Sequence, residues 1–199
     1  MRNPFIAGGK LYLRGIEKED LTGNMAKWSN DAEVTHYMVM GTFPNSGVIF
    51  SSPDSIEVEY KRLLKSRTDV VFAIVDKKTD RAIGITGLYD ISWIPRHGDL
   101  RIAIGEKKSW GKGYGAEAVE LLLGYAFGKL SLNSVQLGVN AEDKRANSCY
   151  KRAGFVYEGT RREFVYRNGR YYDANLYSIL RSEFEAKKGP KGQKKKRKG

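Results

Sequence analysis

The spacing of apolar positions changes several times along the chain, and each change marks an element. Leu11–Ile16 alternates apolar with polar residues, which predicts a half-buried strand, and Glu17–Asp20 opens a helical pattern that carries Leu21, Met25 and Trp28. Thr35–Asp54 is looser and holds Gly41, Pro44, Gly47 and Pro53. Loops of that length commonly serve function. Ser55–Ser66 then reads as a helix presenting Ile56, Tyr60, Leu63 and Leu64. Two runs rich in β-formers, Val70–Asp76 and Ala82–Ile91, flank the polar Lys77–Arg81, a hairpin turn. A third run, Asp99–Gly105, follows Pro95–Gly98 closely enough to extend an antiparallel meander.

The strongest helical pattern is Gly113–Lys129, which has no proline and places Ala116, Val119, Leu122, Leu123, Ala126 and Phe127 on one face. Ser134–Val139 is a short strand, and Lys144–Ala153 a short helix stopped by Gly154. Glu158–Leu180 is a pair of strands joined at Asn168–Gly169, a hairpin signal. That order implies an α/β fold of the mixed α+β kind, with about seven strands and about four helices.

Composition refines the domain boundaries. The chain has 199 residues, 41% of them apolar, enough for one core. Of the net charge of +12, eight units lie on lysines and one arginine between Lys187 and Lys198, so residues 1–186 keep only +4. The expected organisation is one domain over 1–186 and a disordered Lys-rich tail over 187–199, because Gly, Pro and Lys offer too little apolar surface to offset the entropy of ordering. Such a tail either solubilises the protein or makes a weak, salt-sensitive contact with ribosome or RNA. The single cysteine, Cys149, has no partner for an internal disulfide, and no Cys/His cluster has metal-site spacing. Met1–Gly9 lacks a leader pattern and no stretch is apolar over the roughly 18 residues needed to span a bilayer, so a cytoplasmic location without membrane contact is expected.

Candidate chemistry begins where the meander meets the long helix. Gly111, Gly113 and Gly115 crowd the entry of that helix, where orphan N–H groups and the helix dipole favour an anion and glycines let it approach the backbone. A Walker loop would need four residues between its glycines and a Lys-Ser/Thr pair, and neither is present. A dinucleotide fingerprint would need a third glycine where Ala118 stands.

Trp110–Gly111–Lys112–Gly113–Tyr114–Gly115–Ala116–Glu117–Ala118 resembles the cofactor loop of GNAT acetyltransferases, commonly written Gln/Arg-x-x-Gly-x-Gly/Ala. About thirty residues on, Ala146–Asn147–Ser148–Cys149–Tyr150–Lys151–Arg152–Ala153–Gly154–Phe155 is similar to the family's second signature, a helix bearing a tyrosine and closing on Gly-Phe. The resemblance covers roughly Lys10–Phe184, and the closing hairpin is similar to the ribosomal-protein and polyamine branches. It implies a central, mostly antiparallel sheet, acetyl-CoA as acetyl donor, no metal, and cofactor contacts from Ile102, Ile104, Trp110, Gly111, Lys112, Gly113, Tyr114, Gly115, Asp143 and Asn147. Trp110 stands at the Gln/Arg position, which leaves Lys112 as the expected side-chain charge at the diphosphate. Asp143 stands where many relatives carry asparagine.

The resemblance also implies direct attack of a neutral primary amine on the thioester, which needs oxyanion stabilisation, a proton for the thiolate and a proton acceptor. Tyr150, a core residue were it read alone, becomes the general acid within its signature. Glu163 and Asp99 compete as general base, Glu163 slightly favoured, and an ordered water is the third option. Cys149 is expected to be buried and not nucleophilic, and His36 and His97 to be polar surface residues. The acceptor is a protein N-terminus, a polyamine or an amino sugar, bound between Asn30–Pro53 and Arg161–Asp173. The expected partners are acetyl-CoA, that small molecule or protein N-terminus, ribosome or RNA through the tail, and a second copy in a homodimer. The competing reading is a non-catalytic RNA- or ribosome-associated module on the same fold.

Overall fold

The computed structural model describes residues 3–38, 52–167 and 169–189. Among these, β1 (Ile6–Ala7), β2 (Leu11–Gly15), β3 (Val70–Asp76), β4 (Arg81–Ser92), β5 (His97–Ile104), β6 (Ser134–Asn140), β7 (Val156–Arg167) and β8 (Arg170–Leu180) form one sheet. Its order is β1-β2-β3-β4-β5-β6-β8-β7. Every neighbouring pair is antiparallel except β5 and β6. Parallel neighbours require a crossover, and helix α4 (Tyr114–Gly128) supplies it.

The sheet thus has eight strands where the residue pattern predicts about seven. The extra one is β1, whose two residues are too few to show a period. The helix expected from Glu17 is instead a π turn over Asp20–Met25 running into α1 (Ala26–Ser29), and Leu21, Met25 and Trp28 are buried as the pattern requires. Arg14 anchors that turn through a two-pronged contact with Asp20, at 2.5 and 2.8 Å. A short α2 (Ala32–Thr35) follows, capped by Asp31. Residues 39–51, which hold Gly41, Pro44 and Gly47 of the expected acceptor loop, lie outside the described residues, as does Asn168 of the hairpin tip. Helix α3 (Pro53–Lys65) starts two residues earlier than the pattern predicts. Ser52 and Ser55 form a reciprocal capping box, and proline suits the first helical turn.

Two apolar layers sandwich the sheet. On one face α4 packs Ala118, Val119, Leu122, Leu123 and Ala126 against Leu11, Ile74, Leu100, Val135 and Ile179. On the other, Leu21, Met25, Trp28 and Ile56 cover Ile85 and Ala103. Strand alternation therefore sends Leu100, Ile102 and Ile104 of β5 to the α4 face and turns Asp99, Arg101 and Ala103 to the α1 face.

Helix α5 (Lys144–Ala153) is bounded as its caps dictate. Asp143 accepts from Ala146 N–H at 2.9 Å, and Gly154 turns left-handed at φ +102° while Phe155 N–H donates back to Tyr150 O at 3.0 Å. The expected domain boundary at Ala186 falls inside a further helix, α6 (Arg181–Lys188). Phe184 packs on Phe127 with ring centroids 5.2 Å apart and planes tilted by 45°, and the Lys187 ammonium donates to Arg152 O, so the chain stays anchored past Ala186. Residues 190–199, the rest of the Lys-rich tail, lie outside the described residues. No described helix is long and apolar enough to cross a membrane.

Candidate active site

Strands β5 and β6 pair over three rungs only, ending at Asp99↔Gln136. Beyond that rung β5 continues on β4 and β6 on β8, and the two strands part. Thr86 Oγ1 donates to Arg101 O, whereas the Trp110 indole N–H donates to Ile104 O at 2.6 Å. The main-chain groups of Arg101 therefore face β4, and those of Ile104, with Ile102 two residues before it, face the fork. With the Ile104 carbonyl taken by Trp110, the N–H groups on this edge call for a polar ligand. A cavity of about 1200 Å³ fills the fork and extends to the starts of α4 and α5 and to the closing hairpin.

The glycine loop closes one end of this cavity. Gly111 and Gly113 are left-handed, at φ +73° and +86°. Gly113 occupies the cap position of α4 and offers no side chain, so the helix's first intrahelical bond is Glu117 N–H to Gly113 O. The N–H groups of Tyr114, Gly115 and Ala116 are left for an external acceptor, which fits a diphosphate. Trp110, Gly111, Gly113, Tyr114 and Gly115 all line the cavity. The Tyr114 ring does not contribute, because it is buried with its hydroxyl on Asp76 at 3.1 Å. Lys112 is not brought to the cavity: its side chain is exposed and its carbonyl accepts from Lys10 Nζ. Lys144 and Arg145 line the cavity at the start of α5, and the Arg145 guanidinium lies 4.7 Å from the centre of the Trp110 ring.

Tyr150 and Cys149 line the α5 wall. Burial pushes the Tyr150 phenol above its ordinary value of 10.0, so it holds its proton through the neutral range. Its ring packs on Phe155, 5.8 Å away, and no hydrogen bond of its hydroxyl occurs among the described residues. Cys149 is half-buried at the wall, less enclosed than expected, and burial pushes its thiol up, which opposes a nucleophilic role.

Asn147 is a correction to the expected cofactor contacts. It is buried away from the cavity lining, its amide donates to Asn140 O at 2.9 Å and Asp143 O at 2.8 Å, and its carbonyl accepts from Asn175 Nδ2 and Tyr177 Oη. Every hydrogen-bonding valence of the amide is used, three of them in joining α5 to β6 and β8 and one on the α5 cap residue. Asn147→Leu should therefore cost about 2–4 kcal/mol through the buried groups left unpaired, lowering Tm by roughly 5–15 °C in a thermal melt. A variant with the parental Tm and weakened coenzyme A binding would return Asn147 to the cofactor. Asp143 lines the cavity, but its carboxylate is engaged in capping α5.

The competing bases separate. Asp99 is half-buried in the cavity wall at the last rung of the fork, where its Oδ1 accepts from Gln136 Nε2 at 2.7 Å. Glu163, favoured by sequence, is exposed and absent from the lining. It sits at φ +51° in a bulge of β7, its N–H held by Asp173 Oδ1 at 2.8 Å. His36 is exposed at the cavity mouth beside Tyr37, and His97 is a half-buried strand residue. Sequence reasoning missed Gln136 and Arg145, since neither belongs to a motif and only the folded register brings them in.

A strand fork opening onto an uncapped glycine-rich helix start, with a tyrosine helix alongside, defines an acyl-transfer site for a diphosphate-bearing thioester. The family described as acetyltransferase (GNAT) domain matches residues 10–156. The chain belongs to that family of N-acetyltransferases, whose acetyl donor is acetyl-CoA. It is 30% identical to an uncharacterised N-acetyltransferase of Bacillus licheniformis over 88% of this chain and 95% of that protein. It is 28% identical to the spermidine N(1)-acetyltransferase of Vibrio cholerae over 88% and 95%. The crystal structure of spermidine N-acetyltransferase from Vibrio cholerae in complex with CoA and spermine superposes with a TM-score of 0.80 at 28% identity, covering 89% of this chain and 99% of that one. Among the described residues no group of His, Cys, Asp and Glu is arranged to hold a metal ion.

Proposed function

We propose that this chain acetylates a primary amine by direct attack, with Tyr150 as general acid and Asp99 as proton acceptor. The observation that carries the reading is their placement about the fork. Tyr150 packs with the α4-side core and Asp99 turns to the opposite face, yet both line the same cavity. Bound acetyl-CoA supplies a thioester whose carbonyl carbon bonds to the amine nitrogen as its C–S bond breaks. One fork-facing N–H of β5, that of Ile102 or of Ile104, holds the carbonyl oxygen as it gains negative charge, since two N–H groups a strand repeat apart cannot reach the same oxygen. Tyr150 gives its proton to the departing sulfur on the α4 side. Asp99, fixed by Gln136, takes the proton that nitrogen releases on the other side, where forming the C–N bond makes that nitrogen strongly acidic.

For the acceptor, the spermidine N-acetyltransferases among the relatives favour a polyamine over a protein N-terminus or an amino sugar. A carboxylate at the fork suits a cationic amine. Acetyl-CoA at a hundredfold excess over Kd should stabilise the fold by about 2.7 kcal/mol, raising Tm by roughly 5–10 °C. Gly115→Val should remove that shift, because a Cβ there is in ordinary contact with Ile104 Cγ1 at 3.8 Å and the branched side chain stands at the helix start where the anion would approach. Thiol release over a panel of spermidine, N-terminal peptides and amino sugars then identifies the acceptor. Release with no amine in the panel would overturn the acetyl-transfer reading for these classes.

A further inference from the structure

We infer that Arg145, seated on the face of Trp110, is the side-chain ligand of the cofactor's diphosphate, replacing the donor that the loop motif usually carries at position 110. The inference rests on the acetyl-CoA reading of the fork and assigns a residue role within it.

Trp110 cannot fill the motif's role with its own donor. Its indole N–H is spent on Ile104 O at 2.6 Å, which fixes the ring plane at the junction of β5 and the glycine loop. The exposed ring face carries the Arg145 guanidinium at 4.7 Å, a stacking that holds the planar group while leaving its N–H edges free. Both residues line the cavity beside Gly111 and Gly113.

Among the described residues Arg145 forms no ion pair. Its acidic neighbours in sequence are engaged elsewhere, Glu142 with Arg170 at 2.8 Å and Asp143 with the Ala146 N–H. The first turn of α5 holds Lys144 and Arg145 and no acid, an arrangement the helix dipole disfavours. Among the described residues no hydrogen bond or ion pair of the Arg145 side chain occurs. An anion with oxygens near the α4 start would satisfy the guanidinium and the open N–H groups of Tyr114, Gly115 and Ala116 together, which matches a diphosphate in charge and in acceptor number. Lys112, the expected charge, is exposed and outside the cavity lining.

The test is isothermal titration of the full chain with coenzyme A, dephospho-coenzyme A and pantetheine. Arg145→Gln should weaken coenzyme A about ten- to hundredfold, the usual worth of a charge-assisted contact, with its ligand-free Tm unchanged because the side chain is exposed. Dephospho-coenzyme A, which keeps the diphosphate, should lose by the same factor, and pantetheine, which has no phosphate, should lose nothing. Trp110→Leu should weaken coenzyme A as well, and adding it to Arg145→Gln should cost little more, since the ring acts through the guanidinium. Parental affinity in Arg145→Gln would overturn the inference, and so would a loss confined to coenzyme A, which would assign Arg145 to the 3′-phosphate. If the parent chain binds no coenzyme A at all, the acetyl-CoA reading itself fails, an outcome distinct from either.

Discussion

Tyr150→Phe should lower kcat by about 10²- to 10⁴-fold while leaving coenzyme A affinity within a factor of two, the range typical of a lost general acid. That corresponds to roughly 3–5 kcal/mol of transition-state stabilisation. The substitution is clean, because the ring's contact with Phe155 is kept and its hydroxyl has no hydrogen bond to lose among the described residues. Gly154 adds to that rigidity: its left-handed turn and the Phe155 N–H bond to Tyr150 O fix the helix end that carries the ring. The pH profile is a second readout. Burial raises the Tyr150 phenol above its ordinary 10.0, so the protonated acid persists as pH rises and the parent should show no alkaline loss of kcat below about pH 10. A parental rate in Tyr150→Phe, with the chemical step shown to limit turnover, would make the tyrosine structural.

The parts of this site that were legible from sequence are those written in local chemistry. The glycines at the α4 start and the Tyr-x-x-x-Gly-Phe run encode their own backbone turns, so periodicity and motif spacing find both helices, with ends within a residue or two. What sequence could not supply is the register across strands. Asp99 comes to the cavity wall because β5 stops pairing with β6 at that residue, and Gln136 meets it because it is the opposite rung. Both facts depend on the α4 crossover, a contact between segments far apart in the chain. Glu163 shows the converse. Period-two reasoning treats β7 as regular, but register shifts near Tyr157 and Arg161 move everything after them, and the φ of +51° at Glu163 leaves its side chain exposed and outside the lining. Helix α6 escaped notice because Phe184 alone gives it an apolar anchor, too little for a stripe. Asn147 is a related case: a signature position shows that a residue is constrained, but only the fold shows that its amide makes four hydrogen bonds within the protein.

Asp99→Asn and Glu163→Gln should separate sharply near neutral pH, the first losing about 10²-fold or more in kcat and the second staying close to the parent. Asparagine keeps the carbonyl oxygen that Gln136 donates to, so the fork and the strand pairing survive, and what is lost is the capacity to accept a proton. The deficit should then depend on pH. A primary amine of the lysine type ionises near 10.4, so raising pH supplies more free amine and hydroxide to take over proton removal, and the Asp99→Asn rate should climb toward the parent between roughly pH 7 and pH 10. Glu163→Gln should show no such convergence, having no deficit to recover, because its side chain lies outside the cavity lining on the β7 bulge. Coenzyme A titration of both variants should match the parent, since Asp99 turns to the face away from the α4 packing layer. The reverse pattern, a large pH-dependent loss in Glu163→Gln with Asp99→Asn unaffected, would mean that the β7 bulge rearranges when the acceptor binds and that the proton leaves through the hairpin instead of the fork.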